Sequence, residues 1–571
     1  MGSRVLHLAL FLSFPVLLNA HPASQAPLPP ESAASTLVSS PSWIAQADQD
    51  EAYLGVSVAT AGDVNGDGFA DVIVGAALYD NGQTDEGRAL VYQGSAAGLA
   101  TSPAWTAESN QENAWFGNSV ATAGDVNGDG FDDVIVGVWQ YTNVEGQEGR
   151  AVVYHGSSAG LAAAPNWAVE SDTWGAQMGT VATAGDVNGD GFDDVIVGAW
   201  RYTNGQNQEG AAFLYHGSAA GLAITPAWSV ESNDVDGYMG YAVGTAGDVN
   251  GDGFDDVIVS HYYFDNGEGN EGRALVYHGS ATGLAATPAW SAEGNQIAAY
   301  FGNSVGTAGD VNGDGFSDVI VGAYLHDNGQ ANEGRAYVYH GSAVGLATTP
   351  AWFAEGDQFA VYYGTSVGGA GDVNGDGFSD VIVGSFMYGN GQPNEGRVFV
   401  YAGSATGLAT AADWTAESDH FDAQFGISAG TAGDVNGDDL SDVIVGAPQF
   451  SDPEFHEGRA YVYHGDGAST GVAENPAPTA RFRLESYGPN PFATATRLAY
   501  TLPESGPMRL AIYDIGGREV ALVAEGVADA GFHHETWDGR TALGTQLPAG
   551  VYFARFEFAG SVAAVKIVLA R

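Results

Sequence analysis

The chain has no cysteine. No disulfide can staple it, and no thiolate can bind a metal or act as a nucleophile. Positive charge is almost as scarce: 17 Lys and Arg stand against 69 Asp and Glu, a formal net charge of -52 over 571 residues. Between Ser42 and Thr470 the only cations are seven arginines. A surface of that sign repels nucleic acid and anionic membranes, which excludes both as partners. The apolar run within the first 20 residues is too short to argue for a lasting membrane span, and no later stretch would span a bilayer either. Segments with the 3.6-residue periodicity of a normal-length helix are also lacking. What is abundant is glycine, 83 residues, together with 26 Tyr, 26 Phe and 12 Trp. That mixture suits many short strands joined by tight turns.

The N-terminus reads as an export signal. Arg4 precedes the apolar run VLHLALFLSFPVLLNA, which ends at Ala20. This assigns 1–20 to a signal peptide, with a buried N-terminal segment as the rival reading. Residues 21–38, rich in Pro, Ala and Ser, read as a flexible leader. After Arg4 and the seven arginines, every remaining cation lies in the last 91 residues. That shift marks a boundary: a repeat domain over 39–470, a linker over 471–484 and a second domain over 485–571.

The repeat domain is organised around the segment GDVNGDGFAD, Gly62 to Asp71. Its first aspartate recurs at Asp63, Asp125, Asp186, Asp248, Asp310, Asp372 and Asp434, at intervals of 62, 61, 62, 62, 62 and 62 residues. Each period holds four strand candidates: a Trp strand such as PAWTAES, then FGNSVATAGD, DVIVGVW and GRAVVYHG. Four short strands cannot bury their own faces, so neighbouring copies must stack. A seven-bladed β-propeller is the expected all-β arrangement. A parallel β-helix or a row of independent sandwiches are the alternatives. Trp strands occur at Trp43, Trp105, Trp167, Trp228, Trp290, Trp352 and Trp414, and none follows the last repeat. The strand at Trp43 is therefore expected to return as the outer strand of the seventh blade.

Each acidic loop places oxygen donors at loop positions 1, 3, 5 and 9, with a backbone carbonyl at position 7. The expected ligands are Asp63, Asn65, Asp67, Phe69 and Asp71 in the first loop. They are Asp125, Asn127, Asp129, Phe131 and Asp133 in the second, and Asp186, Asn188, Asp190, Phe192 and Asp194 in the third. The fourth has Asp248, Asn250, Asp252, Phe254 and Asp256, and the fifth Asp310, Asn312, Asp314, Phe316 and Asp318. The sixth has Asp372, Asn374, Asp376, Phe378 and Asp380, and the seventh Asp434, Asn436, Asp438, Leu440 and Asp442. Converging hard oxygens suit Ca²⁺, so about seven ions are expected, one per blade. An EF-hand would need Glu at position 12 and a following helix. Position 12 here is Val74, inside the strand-like DVIVGA. The bland alternative is an Asx-rich turn that caps a hairpin. The seventh loop carries Asp439 where the others have glycine, and weaker binding is expected there.

These features resemble the FG-GAP repeats of the integrin α-chain propeller and its bacterial relatives. Phe116-Gly117, Phe301-Gly302 and Phe425-Gly426 match the first element of that pattern, and Gly446-Ala447-Pro448 matches its last. The resemblance covers Ser42 to Thr470. It implies structural calcium loops, with ligands met elsewhere on the propeller. Nothing resembles an inserted adhesion domain.

The C-terminal segment alternates in TRLAYTL, MRLAIYDI and VYFARFEF, which reads as a small sandwich. It looks like the FlgD-like immunoglobulin-type fold and the type A C-terminal sorting domain of type IX secretion. The matching marks are Pro489-Asn490-Pro491-Phe492, Asp514, Gly517-Arg518-Glu519, Trp537-Asp538-Gly539 and Pro548-Ala549-Gly550-Val551-Tyr552. The resemblance implies outer-membrane secretion machinery as a partner. The alternative is a plain terminal sandwich.

Strand order puts the calcium loops on one face and the long variable loops on the other. Aromatic residues recur two positions before the Phe-Gly-type glycine: Tyr53, Trp115, Tyr238, Tyr300 and Tyr362. Tyr79, Trp139, Tyr141, Trp200, Tyr202, Tyr262, Tyr263, Tyr324 and Tyr388 belong to the same face. Aromatics beside Asn, Gln and Asp suit sugar rings or a protein surface, so this is the candidate ligand face. Packing between blades is the alternative for each ring. The histidines His155, His216, His278, His340 and His464 recur at one turn, which argues against a single general base. The arginines of EGR, such as Arg88, read as structural. The expected function is therefore a secreted or cell-surface calcium-binding propeller, non-catalytic, that binds an extracellular glycan or protein. A structural surface-layer or matrix protein, or a secreted hydrolase on this scaffold, are the alternatives.

Overall fold

A computed structural model describes residues 37–466 apart from 453, and most of 483–570. The expected signal peptide, nearly all of the leader, most of the linker and the Pro489-Asn490-Pro491 mark lie outside the described residues.

Seven four-stranded antiparallel sheets follow one another. The first comprises Leu54–Gly62, Asp71–Ala76, Arg88–Tyr92 and Trp105–Glu108, paired in that order. Its second strand, DVIVGA, is buried at every residue. Both of its faces are covered, which explains an uninterrupted apolar run in place of alternation. The acidic loop joins the inner strand to this buried strand, and the variable loop leaves from its other end.

Blade packs on blade through repeated bonds. The outer-strand tryptophan donates its indole N–H to a turn of the next blade, as from Trp105 to the Ala162 carbonyl at 2.8 Å. The Trp105 ring also meets Tyr154 edge-on at 4.7 Å. At the acidic loops, the Asp132 N–H donates to the Asp63 carbonyl of the preceding blade at 3.2 Å. The Asp63 N–H donates to the Asp132 carboxylate at 2.7 Å. The first and seventh blades are linked in the same way, the Ala70 N–H reaching the Asp434 carbonyl at 2.9 Å. Trp43–Gln46 pairs with Arg459–Tyr463 as the outer strand of the seventh sheet.

Two expected boundaries move. Leu37 and Val38 do not belong to a leader. Leu37 is fully buried and bridges Gly465, and the Val38 carbonyl accepts the Trp414 indole N–H at 3.1 Å. Beside the seventh blade's His464 and Gly465, Val38 supplies to Trp414 the acceptor that turn residues such as Ala162 supply in other blades. Likewise Arg483 and Leu484 lie in a strand, Arg483–Ser486, with Leu484 in the core, so the second domain starts before 485.

The C-terminal residues form a three-stranded sheet (Arg483–Ser486, Thr496–Leu502, Gly531–Trp537) and a four-stranded sheet (Glu519–Ala528, Gly506–Asp514, Gly550–Phe558, Ser561–Leu569). Leu498, Leu510, Ile512, Phe556 and Ile567 are fully buried in one core. The marks noted in the sequence hold turns. The Asp514 carboxylate accepts from the Arg518 N–H at 3.0 Å, and the Tyr552 hydroxyl donates to the Pro548 carbonyl at 2.7 Å.

Candidate metal loops and an aromatic face

The acidic loops are wound by their own side chains. Asp63 Oδ1 accepts the N–H groups of Gly66 at 2.7 Å and Asp67 at 3.0 Å, and Oδ2 accepts that of Gly68 at 2.8 Å. Asn65 accepts from the Asp67 N–H, and Asp67 from the Phe69 N–H. Asp71 is fully buried; its two oxygens accept from Gly94 and Val64. Burial, opposed by those two bonds and reinforced by Asp63 and Asp67, pushes the Asp71 carboxyl up to about 7. Its counterparts Asp133, Asp194 and Asp380 rise to about 8, again chiefly through burial. The seventh loop keeps the same winding. Asp439 adopts φ 67°, and its N–H reaches Asp434 Oδ2 at 2.9 Å, the bond that Gly68 makes in the first loop.

Among the described residues, no loop aspartate is ion-paired to an arginine or lysine. The loop carboxylates spend lone pairs on backbone N–H groups. They do not form trios with every oxygen within 4.8 Å, and the single described trio that does is elsewhere, at Glu148, Glu170 and Asp172. Asp63 Oδ2, Asn65 Oδ1 and Asp67 Oδ1 each accept one of these N–H groups and retain a second lone pair. An oxygen-only donor set carrying uncompensated negative charge fits a hard divalent cation.

On the opposite face the expected aromatic residues divide into two groups. Tyr53, Trp115, Tyr238, Tyr300 and Tyr362 share a left-handed backbone, φ between 51° and 60°, where the chain turns into each inner strand. That conformation costs a bulky residue about 1 kcal/mol or more. Tyr53 does not offer a ligand surface: it is 7% exposed and its hydroxyl lies 3.1 Å from His456 Nδ1. Trp115, Tyr238, Tyr300 and Tyr362 are half-buried. Tyr79, Tyr141 and Tyr388 are also removed from the candidate face, because their rings lie under Arg88 (3.8 Å), Arg150 (4.9 Å) and Arg397 (5.0 Å). Tyr202 packs edge-on against Phe213 at 5.5 Å.

The remaining rings touch in sequence. Trp139 meets Trp200 at 6.0 Å, Trp200 meets Tyr238 at 5.1 Å, and Tyr238 meets Tyr263 at 4.7 Å. Tyr263 then meets Tyr300 at 5.4 Å, Tyr300 meets Tyr324 at 5.9 Å, Tyr324 meets Tyr362 at 6.0 Å, and Tyr362 stacks on Phe386 at 5.4 Å. The arc crosses the second to sixth blades. Phe386 is a member that the sequence pattern missed. The signal was there: the residue after the Gly-Ala position, which reads Gly-Val, Ser-His or Gly-Ser in three of these blades, is aromatic in five, at Trp139, Trp200, Tyr262, Tyr324 and Phe386. Tyr241, a substitution unique to the fourth inner strand, stacks on Tyr262 at 4.1 Å and anchors the arc. The indole N–H groups of Trp139 and Trp200 are buried without an acceptor.

Two histidines stand beside this arc. His261 is 3% exposed, and burial followed by Arg273 lowers it to about 4; His326 falls to about 4 through burial and Arg335. Asp234 approaches His261 Nε2 at 3.6 Å, but its carboxylate is exposed and screened by water. Both rings are neutral in the fold and protonate near 6.5 once unfolded. Their stabilisation is complete above pH 6.5 and is lost as pH falls from 6.5 to 4, by up to about 3 kcal/mol each. His261→Ala with His326→Tyr installs residues that sister blades use. That variant should lose less stability than wild type between pH 6.5 and 4.5 in denaturant titrations; equal losses would refute the assignment.

The five turn histidines have a packing role. The His155 ring sits where a Cβ on Gly221 of the next blade would come within 3.1 Å, and His216, His278, His340 and His464 repeat the contact. Arg88 and Arg335 pair with Glu108 and Glu355 of the outer strand. Among the described residues no helix is long and apolar enough to cross a membrane.

Comparison with known proteins bears on the repeats. The FG-GAP repeat family matches residues 54–92, 116–154, 178–215, 239–277, 301–339, 363–401 and 425–463. Integrin alpha pat-2 of Caenorhabditis briggsae is 33% identical over 231 residues, 37% of this chain and 18% of that protein. Integrin alpha-V of Gallus gallus is 33% identical over 235 residues, 40% of this chain and 21% of that protein. The chain thus spans about a fifth of the length of these relatives. A solved FlgD structure from P. aeruginosa aligns at 26% identity over 13% of this chain and 60% of its own, with a TM-score of 0.12, and leaves the C-terminal sheets unassigned.

Proposed function

Residues 54–463 carry seven FG-GAP repeats, and from that premise we propose that the chain is a secreted or cell-surface propeller that holds calcium in its acidic loops and binds an extracellular glycan or protein without catalysis. The observation that carries this reading is the aromatic arc from Trp139 to Phe386 on the face opposite the acidic loops. Its half-buried rings, Trp139, Tyr238, Tyr263, Tyr300, Tyr324 and Tyr362, are suited to an apolar sugar face or to a protein surface, while Trp200 and Phe386 are buried among them. The seven oxygen-rich loops support about one calcium ion each as rigid struts beneath that face. Similarity to integrin α-chains supports an extracellular setting and a role in adhesion. We read the C-terminal sheets as a sorting domain for outer-membrane secretion, on the strength of the turn marks and the export signal.

The test is binding of the mature chain to polysaccharide and glycoprotein arrays in calcium, repeated with the variant Tyr238→Ala/Tyr300→Ala/Tyr362→Ala. Stacked aromatic rings at a binding surface contribute about 1 kcal/mol each, so a loss of roughly 100-fold or more in affinity is expected. Wild-type affinity in a folded triple variant would overturn the assignment of this face.

A further inference from the structure

Among the described residues, three acidic side chains converge at one place, in the second blade. Glu148, Glu170 and Asp172 each bring a carboxylate oxygen to a triangle with no side longer than 4.8 Å. Glu148 ends the variable loop, Glu170 ends the outer strand, and Asp172 follows it, so the triangle lies on the face opposite the acidic loops. Glu148 is fully buried. Its Oε1 accepts the Asn143 N–H at 2.7 Å, while its Oε2, equally buried, has no partner. One oxygen of Glu86, Glu209, Glu333, Glu395 and Glu457 in sister blades is left in the same state, but among the described residues only here do two further carboxylates converge on the glutamate. An anionic oxygen in that position is costly unless something positive meets it.

The neighbouring cation does not suffice. Arg150 Nε stands 3.6 Å from Glu170, and Arg150 stacks on Tyr141. In the first and fifth blades the equivalent arginine closes tightly on its glutamate through both Nε and Nη2. Asn143 Nδ2 donates to Glu170 at 3.0 Å, a bond repeated in other blades and carrying no charge. The third corner is Asn110, Asn233 and Asn295 in the first, third and fourth blades. The fifth and sixth carry Asp357 and Asp419 there, but among the described residues only Asp172 brings its oxygen within 4.8 Å of both glutamates. Three carboxylates against one loosely held guanidinium leave an excess of about two negative charges.

We propose that Glu148, Glu170 and Asp172 form an additional divalent-cation site, separate from the seven acidic loops. Its donors are carboxylates only, so the ion is hard and of the Ca²⁺ class, completed by water. Bound there, the ion ties the variable loop to the segment after the outer strand. That segment carries Trp174, 72% exposed, with the Gly175 N–H already reaching the Gly146 carbonyl at 2.8 Å. The site thereby fixes a loop of the proposed binding face.

The experiment is an anomalous difference map from crystals of the whole chain soaked in Tb³⁺, which replaces Ca²⁺. A peak at about 2.4 Å from all three residues is expected; an empty triangle, whatever the acidic loops hold, overturns the proposal. In solution, Trp174 lies two residues from Asp172 and serves as an antenna. Asp172→Asn, the residue three sister blades tolerate, should lose one equivalent of bound Tb³⁺ and most of the tryptophan-sensitised emission, with the loop variant Asp125→Asn as the comparison. Unchanged stoichiometry and emission in Asp172→Asn would also overturn it.

Discussion

Chelation of divalent cations should lower the melting temperature of the propeller by about 20 °C or more. Each acidic loop gathers at least three aspartates into ten residues, and one of them, such as Asp71, is fully buried. Without an ion those charges oppose one another and the wound loop. A ligand at about 100 times its dissociation constant stabilises a fold by about 2.7 kcal/mol per site. Seven such sites, as proposed, would act on one structure, because consecutive loops are bonded directly, as the Asp132 carboxylate is to the Asp63 N–H. In a domain of this size each kcal/mol shifts the midpoint by roughly 1–2 °C, below the range for smaller domains. Calorimetry in calcium and in excess chelator measures the difference, and Asp63→Ala should remove only a fraction of it. Coincident transitions with and without calcium would mean that the loops are held by their hydrogen bonds alone, as Asx turns are.

The period made much of this architecture legible. One recurring aspartate and one recurring tryptophan were enough to mark four strands per unit, the faces of the loops and the place of Trp43 at the edge of the seventh sheet. The donor positions Asp63 to Asp71 are local in sequence, and so readable as a set. What was illegible depends on contacts between blades. Tyr79 and Tyr300 look alike in sequence, yet one lies beneath Arg88 and the other joins the arc. Leu37 and Val38 sit in a leader-like composition, and only the partner strand reveals their place. Glu148, Glu170 and Asp172 are separated by 22 and 2 residues. They become neighbours only once the third and outer strands are paired, Arg150 opposite Glu170.

Gly446→Ala should destabilise the propeller by about 3 kcal/mol or more, at the seam where the last blade meets the first. A Cβ at Gly446 would lie 1.9 Å from the Gly55 carbonyl oxygen. The same contact recurs between Gly75 and Gly117, also at 1.9 Å. The glycine of the Phe-Gly element and the glycine of the Gly-Ala element therefore face each other across blades, which gives the repeat motif its physical meaning. The clash is with backbone, so no side chain can rotate away, and overpacking of this kind costs about 1–3 kcal/mol even where side chains can yield. The fourth blade supplies the control. Ser260 stands where the other blades have glycine, and its Oγ accepts the Ala242 N–H at 2.8 Å. Across that seam a real Cβ is accommodated: the point where a Cβ on Gly302 would sit is 3.3 Å from Ser260 Cβ and 3.0 Å from the Arg273 carbonyl oxygen. Ser260→Gly should then cost only about 1 kcal/mol, the worth of one hydrogen bond. Denaturant unfolding of the two variants in calcium separates them. A Gly446→Ala protein as stable as wild type would show that the seam between the first and seventh blades can widen without loss, and that the glycine pair does not hold the blades together.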